Sequence, residues 1–146
     1  LLILGEGRSR KALEKTVRQL DLGQSVHMPG RVANPLPYLR CAQAFALSSI
    51  YEGFGNALLE AIYFRLPVIV NRYSIFVQDI EPKGFKLLPM DGFVTVKLIE
   101  QVRRTLEDAA FRKSMVDHNY RVAGRFYGYT ILRDHLRSLV ASLLGG

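Results

Sequence analysis

The chain has 146 residues, 49% of them hydrophobic and 23% charged, a balance that excludes intrinsic disorder and suffices for one domain with its own core. No apolar run in the sequence approaches the roughly 20 residues that cross a bilayer. The net charge of +7 favours anionic partners, but the sequence carries no nucleic-acid-binding motif.

The arginines are scattered along the sequence, so we expect a solvated helix surface, with peripheral membrane contact as the alternative. The single cysteine, Cys41, cannot form an internal disulfide. We expect it to be buried and the protein to be cytoplasmic.

Short strands and helices alternate from the first residue onward. The chain opens on an apolar strand without a methionine or basic leader, which predicts that it begins inside a longer domain. Ser9 can cap a helix whose apolar residues Leu13, Val17 and Leu20 recur at helical spacing. The other predicted strands cover residues 25–28, 44–48, 67–70 and 85–88, and the other predicted helices cover 38–42, 56–64, 95–107, 110–125 and 131–144.

This alternation predicts right-handed βαβ units and a parallel sheet. We therefore predict an α/β fold with a Rossmann-like parallel sheet, flanking helices and a helical tail, forming one domain over residues 1–146. Ligands of such sheets bind beyond the carboxyl ends of the strands.

The segment 48–61 carries the most chemical information, because a strand there runs through a glycine turn into a helix. Gly53 and Gly55 let the backbone approach a ligand closely. The first amides of the helix lack internal partners and the helix dipole adds positive potential, so phosphate is the natural occupant. Such turns also occur without any ligand, and from the residues alone both interpretations stay open.

Two carboxylates flank this turn. Glu52 precedes the helix, and Glu60 lies roughly 7.5 Å along its axis at about 1.5 Å per residue. A carboxylate touching the anion would be repelled, so each is better suited to accept hydrogen bonds from hydroxyl groups, such as those of a sugar and a ribose.

The motif Glu-Gly-Phe-Gly-Asn-x3-Glu-Ala, followed by Pro-Val-Ile-Val at 67–70, resembles the E-x7-E signature of group 1 glycosyltransferases, which have the GT-B fold. The turn after the first strand, the segment 26–30, the helix from Tyr38 to Ala42, Ser49 and the tail through Phe126 are similar to further elements of that family. The resemblance covers essentially the whole chain and implies that it is the carboxyl-terminal, donor-binding half of a retaining enzyme.

The resemblance also implies roles for single residues. Glu52 would be the catalytic residue that binds hydroxyls of the donor sugar, Glu60 would bind the ribose, and the turn at Gly30 would meet the base through its backbone. The implied donor-binding residues are Gly30, Arg31, Val32, Gly53, Phe54, Gly55, Asn56, Ala57 and Glu60. No metal or cofactor is implied, because helix amides and basic side chains stabilise the leaving diphosphate in that family.

Some features depart from the family. Gln43 stands where Asp is usual and Ser48 where Pro is common. The basic residues that grip the diphosphate, and the acceptor domain, are expected before this chain begins. A GT-B epimerase or phosphorylase and a non-catalytic nucleotide-sugar-binding module are the alternatives.

The segment 71–80 replaces the family's glycine-rich loop. Asp79 falls about where the family has Glu, and we expect Arg72 and Tyr73 to face the donor cleft, with a solvent-facing Arg72 as the alternative. The three histidines, His27, His118 and His135, lack metal-binding spacing and are interpreted as structural or surface residues.

Overall fold

The computed structural model describes residues 1–53 and 55–144, without the side chains of the last two of these. The chain divides into two compact units, residues 1–38 and 39–146. The division lies within a short helix, α2, Leu36–Cys41.

The first unit contains two parallel strands and one helix. Strand β1, Leu2–Leu4, pairs with β2, His27–Gly30, and helix α1, Arg10–Gln19, lies between them in the chain. Helix α1 begins after Ser9 as predicted, but the Ser9 side chain makes no capping hydrogen bond with the described residues. Leu13 and Leu20 stay exposed, so helical spacing identified the helix without identifying a buried face.

The second unit is built on a three-stranded parallel sheet. Its strands are β3, Phe45–Leu47, β4, Val68–Asn71, and β5, Leu88–Met90, in the order β3-β4-β5. Helix α3, Asn56–Tyr63, connects β3 to β4, and a π-helical turn at Phe76–Ile80 followed by a 3-10 turn at Glu81–Lys83 precedes β5. The tail consists of α4, Val96–Glu107, α5, Ala109–Tyr127, and α6, Tyr129–Leu144.

The main core lies between α3, the central strand β4 and the π-helical turn. Leu58, Ile62, Val68, Val70 and Ile80 are all fully buried. Strand β4 is apolar because helices cover both of its faces, as the run at 67–70 predicts.

The predicted α/β class, parallel pairing and helical tail are confirmed. The last strand was predicted at 85–88 but lies at Leu88–Met90, because Phe85 and Leu87 pack against the core from the segment before it. Cys41, the last residue of α2, was predicted to be buried and is exposed.

Candidate functional site

The N-terminus of α3 lies beyond the carboxyl end of β3, where the motif predicts it. Gly55 caps the helix with φ of +76°, a left-handed conformation that glycine adopts without strain. Its carbonyl oxygen accepts a hydrogen bond of 2.9 Å from the amide of Leu58. The turn therefore presents the first amides of α3 at the edge of the sheet where open parallel sheets bind ligands.

The predicted donor-binding residues of this turn lie at different depths. Gly55 is buried, Gly53 and Asn56 are exposed, and Ala57 is half-buried. Phe54 lies outside the described residues.

The side chain of Tyr73 packs behind Gly55. A Cβ atom added to Gly55 would lie 2.5 Å from the Tyr73 hydroxyl oxygen, so the hydroxyl fills the space that the missing side chain leaves. Tyr73 is only 2% exposed, and its hydroxyl has no hydrogen-bond partner among the described residues. The expectation that Tyr73 faces an open cleft is therefore wrong: its ring belongs to the core, beside Phe76.

Glu52 and Glu60 are both half-buried. Burial raises the pKa of the Tyr73 hydroxyl above its usual 10.0, and the nearby negative charge of Glu52 raises it further. Glu52 thus lies within electrostatic range of the hydroxyl behind Gly55. Glu60 lies on α3 four residues after Asn56, on the same side of the helix one turn later.

Asn71, at the carboxyl end of the central strand β4, joins the loops on either side of it. Its side-chain amide donates to the carbonyl oxygen of Ser49 at 3.2 Å, and its side-chain oxygen accepts from the amide of Gly92 at 2.8 Å. Asn71 itself is buried, while its partners Ser49 and Gly92 are half-buried and exposed. Sequence reasoning missed this residue; its signal was a lone polar side chain ending an apolar strand.

Arg72 points to two carboxylates, one in the 3-10 turn before β5 and one just after β5. It contacts Glu81 at 2.7 Å and Asp91 at 3.3 Å, and the hydrogen bond and charge of Glu81 raise its pKa. Asp79 pairs with Lys83 at 2.7 Å. Arg72 and Asp79 are therefore both engaged in ion pairs.

The turn at Gly30 belongs to the first unit. Gly30 is buried with φ of +88°, and a Cβ there would lie 2.6 Å from a carboxylate oxygen of Glu6. Arg10 donates to that carboxylate at 2.7 Å and to the carbonyl oxygen of Met28 at 2.8 Å. Arg31 is exposed and Val32 is half-buried, so Glu6 and Arg10, which the sequence analysis did not select, support this turn.

Four of the arginines of the second unit are gathered in space, whereas a scattered surface was expected. A cavity of about 870 Å³ lies at the amino ends of β3 and β4, where its described lining carries five cationic side chains and one carboxylate, Asp117. The cations are Arg40, Arg65, Arg112, Lys113 and Arg121. We call this surface the basic groove.

Arg65 anchors one side of the basic groove. It has φ of +55° just after α3, pairs with Asp117 on α5, and its guanidinium lies 4.1 Å from the centre of the Tyr120 ring. Lys113 contacts Asp117 at 2.5 Å. The hydrogen bond from Lys113, and to a lesser degree the charges of Lys113 and Arg65, lower the pKa of Asp117.

Within residues 1–53 and 55–144, no three His, Cys, Asp or Glu side chains are grouped so that they could hold a metal ion. His118 contacts the carbonyl oxygen of Gly84 at 2.7 Å, in line with a structural role. None of the described helices has the length and apolar character needed to cross a membrane.

Comparisons with known proteins agree with this architecture. The model of the family "Glycosyl transferases group 1" matches residues 1–122. Mannosylglucosylglycerate synthase of Thermotoga maritima is 35% identical over 101 residues, which are 60% of this chain and 24% of that protein.

Two solved structures share the fold. Sucrose-phosphate synthase from Thermosynechococcus elongatus superimposes with a TM-score of 0.79 at 20% identity, over 99% of this chain and 38% of that one. The pneumococcal O-GlcNAc transferase GtfA, in complex with UDP and GlcNAc, gives a TM-score of 0.69 at 20% identity, over 98% of this chain and 29% of that one. This chain thus spans less than two fifths of each of the three proteins. Since the family model covers most of its length, the chain belongs to the group 1 glycosyltransferases.

Proposed function

We propose that this chain is the donor-binding part of a retaining glycosyltransferase that moves a hexose from a nucleoside diphosphate to an acceptor without a metal ion. The acceptor would be held by an amino-terminal domain of the same protein. One observation carries the proposal: the left-handed Gly55 turn opens α3 beyond a parallel strand, with the half-buried carboxylates of Glu52 and Glu60 on either side of it in the chain.

The helix amides would stabilise the charge that develops on the leaving diphosphate. They are fixed before the reaction by the turn, so they need no reorganisation as the glycosidic bond breaks. The half-charge of the helix dipole acts at the same point. Amides of Gly53, Phe54, Gly55, Asn56 and Ala57 are the proposed donors.

Carboxylates suit the neutral parts of the donor. Glu52 would accept hydrogen bonds from sugar hydroxyls and Glu60 from the ribose, because each is acceptor-only when ionised. The backbone of Gly30, Arg31 and Val32 would bind the base edge, where Glu6 and Arg10 support the turn.

Two relatives support this choice of ligand. The O-GlcNAc transferase was crystallised with UDP and GlcNAc, and the Thermotoga protein is named as a synthase of a glycosylated glycerate. A nucleoside diphosphate and a sugar are the two products of donor cleavage.

The test uses the full-length protein with UDP-, GDP- and ADP-hexoses. We expect one donor to be turned over in the presence of EDTA, with the anomeric configuration retained when the product is followed by proton NMR from the first turnovers. Inversion, a need for added divalent metal, or release of an epimer in place of transfer would each contradict the proposal.

Matched variants separate the two carboxylates. Glu60→Gln should weaken binding of the free nucleoside diphosphate by about 1.5–3 kcal/mol, the range for hydrogen bonds to charged groups. Compared with the ordinary nucleotide, the 2′,3′-dideoxy nucleotide should bind the wild type more weakly by a similar free energy. It should bind the Glu60→Gln variant almost as well as the ordinary nucleotide does. Glu52→Gln should leave nucleotide affinity unchanged while transfer falls by about ten-fold or more. Equal losses of nucleotide affinity in both variants would show that the roles are wrong.

A further inference from the structure

The Tyr73 hydroxyl is the polar group whose burial the fold does not explain. It is shielded from water and has no hydrogen-bond partner among the described residues. Buried polar groups nearly always have partners, and an unpaired one carries a desolvation penalty that phenylalanine, which lacks only the oxygen atom, would avoid. A ring that only filled the core beside Phe76 would not need the oxygen atom.

The hydroxyl is also held in place. The Tyr73 amide donates to the carbonyl oxygen of Asn71 at 2.9 Å, and its own carbonyl oxygen accepts from the amide of Val77 at 3.1 Å. The ring lies against Phe76, with 5.8 Å between ring centroids. The oxygen therefore stays behind Gly55, at the N-terminus of α3.

Glu52 is the carboxylate of this turn, three residues before Gly55, and its negative charge raises the pKa of the Tyr73 hydroxyl. The two groups are complementary, because an ionised carboxylate only accepts hydrogen bonds and a phenol can donate one. Hydrogen bonds to a charged acceptor are the stronger kind.

We infer that Tyr73 is a positioning residue whose hydroxyl donates a hydrogen bond to the Glu52 carboxylate when a donor sugar occupies the turn. This inference rests on the proposed function. One carboxylate oxygen would be held from behind Gly55, and the remaining lone pairs would be directed at the sugar hydroxyls. The desolvation penalty of the unpaired Tyr73 hydroxyl, present in the free protein, would be relieved when the sugar is bound. Binding of the sugar and positioning of Glu52 would therefore favour each other.

The test compares four forms of the full-length protein: wild type, Tyr73→Phe, Glu52→Gln and the double variant. The readouts are the kcat and KM of nucleoside diphosphate release from the hexose donor selected above, the affinity for the free nucleoside diphosphate, and the melting temperature. Tyr63→Phe is the control, because that tyrosine lies on α3 but is 67% exposed.

We expect Tyr73→Phe to lower kcat/KM by about ten-fold, the loss of one charge-assisted hydrogen bond. Affinity for the free nucleoside diphosphate should stay within about two-fold, and the melting temperature should be unchanged or higher. In the Glu52→Gln background the same substitution should have little further effect, because its acceptor is already altered.

Three outcomes would overturn the inference alone. The first is a Tyr73→Phe enzyme with the kcat/KM of the wild type, and the second is a double variant whose loss of kcat/KM is the product of the two single losses. The third is a Tyr73→Phe enzyme that loses as much affinity for the free nucleotide as it loses kcat/KM for the nucleotide sugar. A lowered melting temperature with unchanged kinetics would assign the hydroxyl a structural role. A wild type that releases nucleoside diphosphate from no donor would overturn the proposed function, and this inference with it.

Discussion

Replacing Gly55 by alanine tests the turn at the start of α3 without reference to any ligand. The new methyl group would lie 2.5 Å from the hydroxyl oxygen of Tyr73, and Tyr73 cannot retreat because it is buried against Phe76. The left-handed φ of +76° would cost alanine about 1–2 kcal/mol. Overpacking of a buried contact adds about 1–3 kcal/mol, while the lower entropy of the unfolded chain offsets about 0.5–1 kcal/mol.

We therefore expect Gly55→Ala to lower the free energy of unfolding by about 2–4 kcal/mol, measured by urea denaturation. The Tyr73→Phe background separates the two causes. Without the hydroxyl, the nearest ring atom would be 3.6 Å from the methyl group, an ordinary contact. Gly55→Ala should then cost only the conformational part less the entropy offset, about 0–1.5 kcal/mol.

Two results for Gly55→Ala in the wild-type and Tyr73→Phe backgrounds would refute this reasoning. If Gly55→Ala costs the same in both backgrounds, the hydroxyl does not occupy the space behind Gly55. If it costs less than about 0.5 kcal/mol in the wild-type background, Gly55 is neither held in the left-handed region nor packed against the hydroxyl.

Three other predictions concern residues around the sheet. Asn71→Leu should destabilise the protein by about 1–2 kcal/mol in urea denaturation, because it removes the two hydrogen bonds to the backbone of half-buried Ser49 and exposed Gly92; Asn71→Asp, which keeps the acceptor, should cost less. Asn119 is 1% exposed and exchanges two hydrogen bonds of 2.7 Å with the backbone of Lys86, so Asn119→Ala should cost about 2–4 kcal/mol by the same assay, and a loss below about 1 kcal/mol would contradict this pairing. Lys113→Gln should raise the pKa of Asp117 in an NMR titration. Since folding lowers this pKa below its ordinary 3.8, the stabilisation is present above pH 3.8 and is lost as pH falls through the folded-state pKa; an unchanged pKa in the variant would exclude Lys113 as its cause.

Local patterns were sufficient to predict the elements and the turn of the candidate site. A β-branched apolar run identified β4, and a strand followed by glycine and a helix identified the turn at Gly55. Both signals lie within a few neighbouring residues, so a single sequence contains them. The roles of Glu52 and Glu60 stay predictions.

Contacts between distant residues could not be predicted in this way. Tyr73 meets Gly55 across 18 positions of the chain, and nothing near Tyr73 in the sequence indicates that its hydroxyl turns inward. The basic groove joins Arg40 to residues of α5, so positions that are scattered in the sequence become neighbours. The prediction for Cys41 was wrong because it rested on residue type alone, and cysteine is usually buried.

Helix α3 has left-handed residues at both ends, Gly55 before it and Arg65 after it. Gly55 packs against the Tyr73 hydroxyl, and Arg65 stacks on Tyr120 and pairs with Asp117, both on α5. Inserting or deleting one residue in α3 would rotate one end of the helix relative to the other by about 100° and shift it by about 1.5 Å. Either the contact of Gly55 or the contacts of Arg65 would then be lost. The eight residues of α3 therefore act as a spacer of fixed length. Homologous sequences should vary freely on its exposed face while accepting no gap between the two ends.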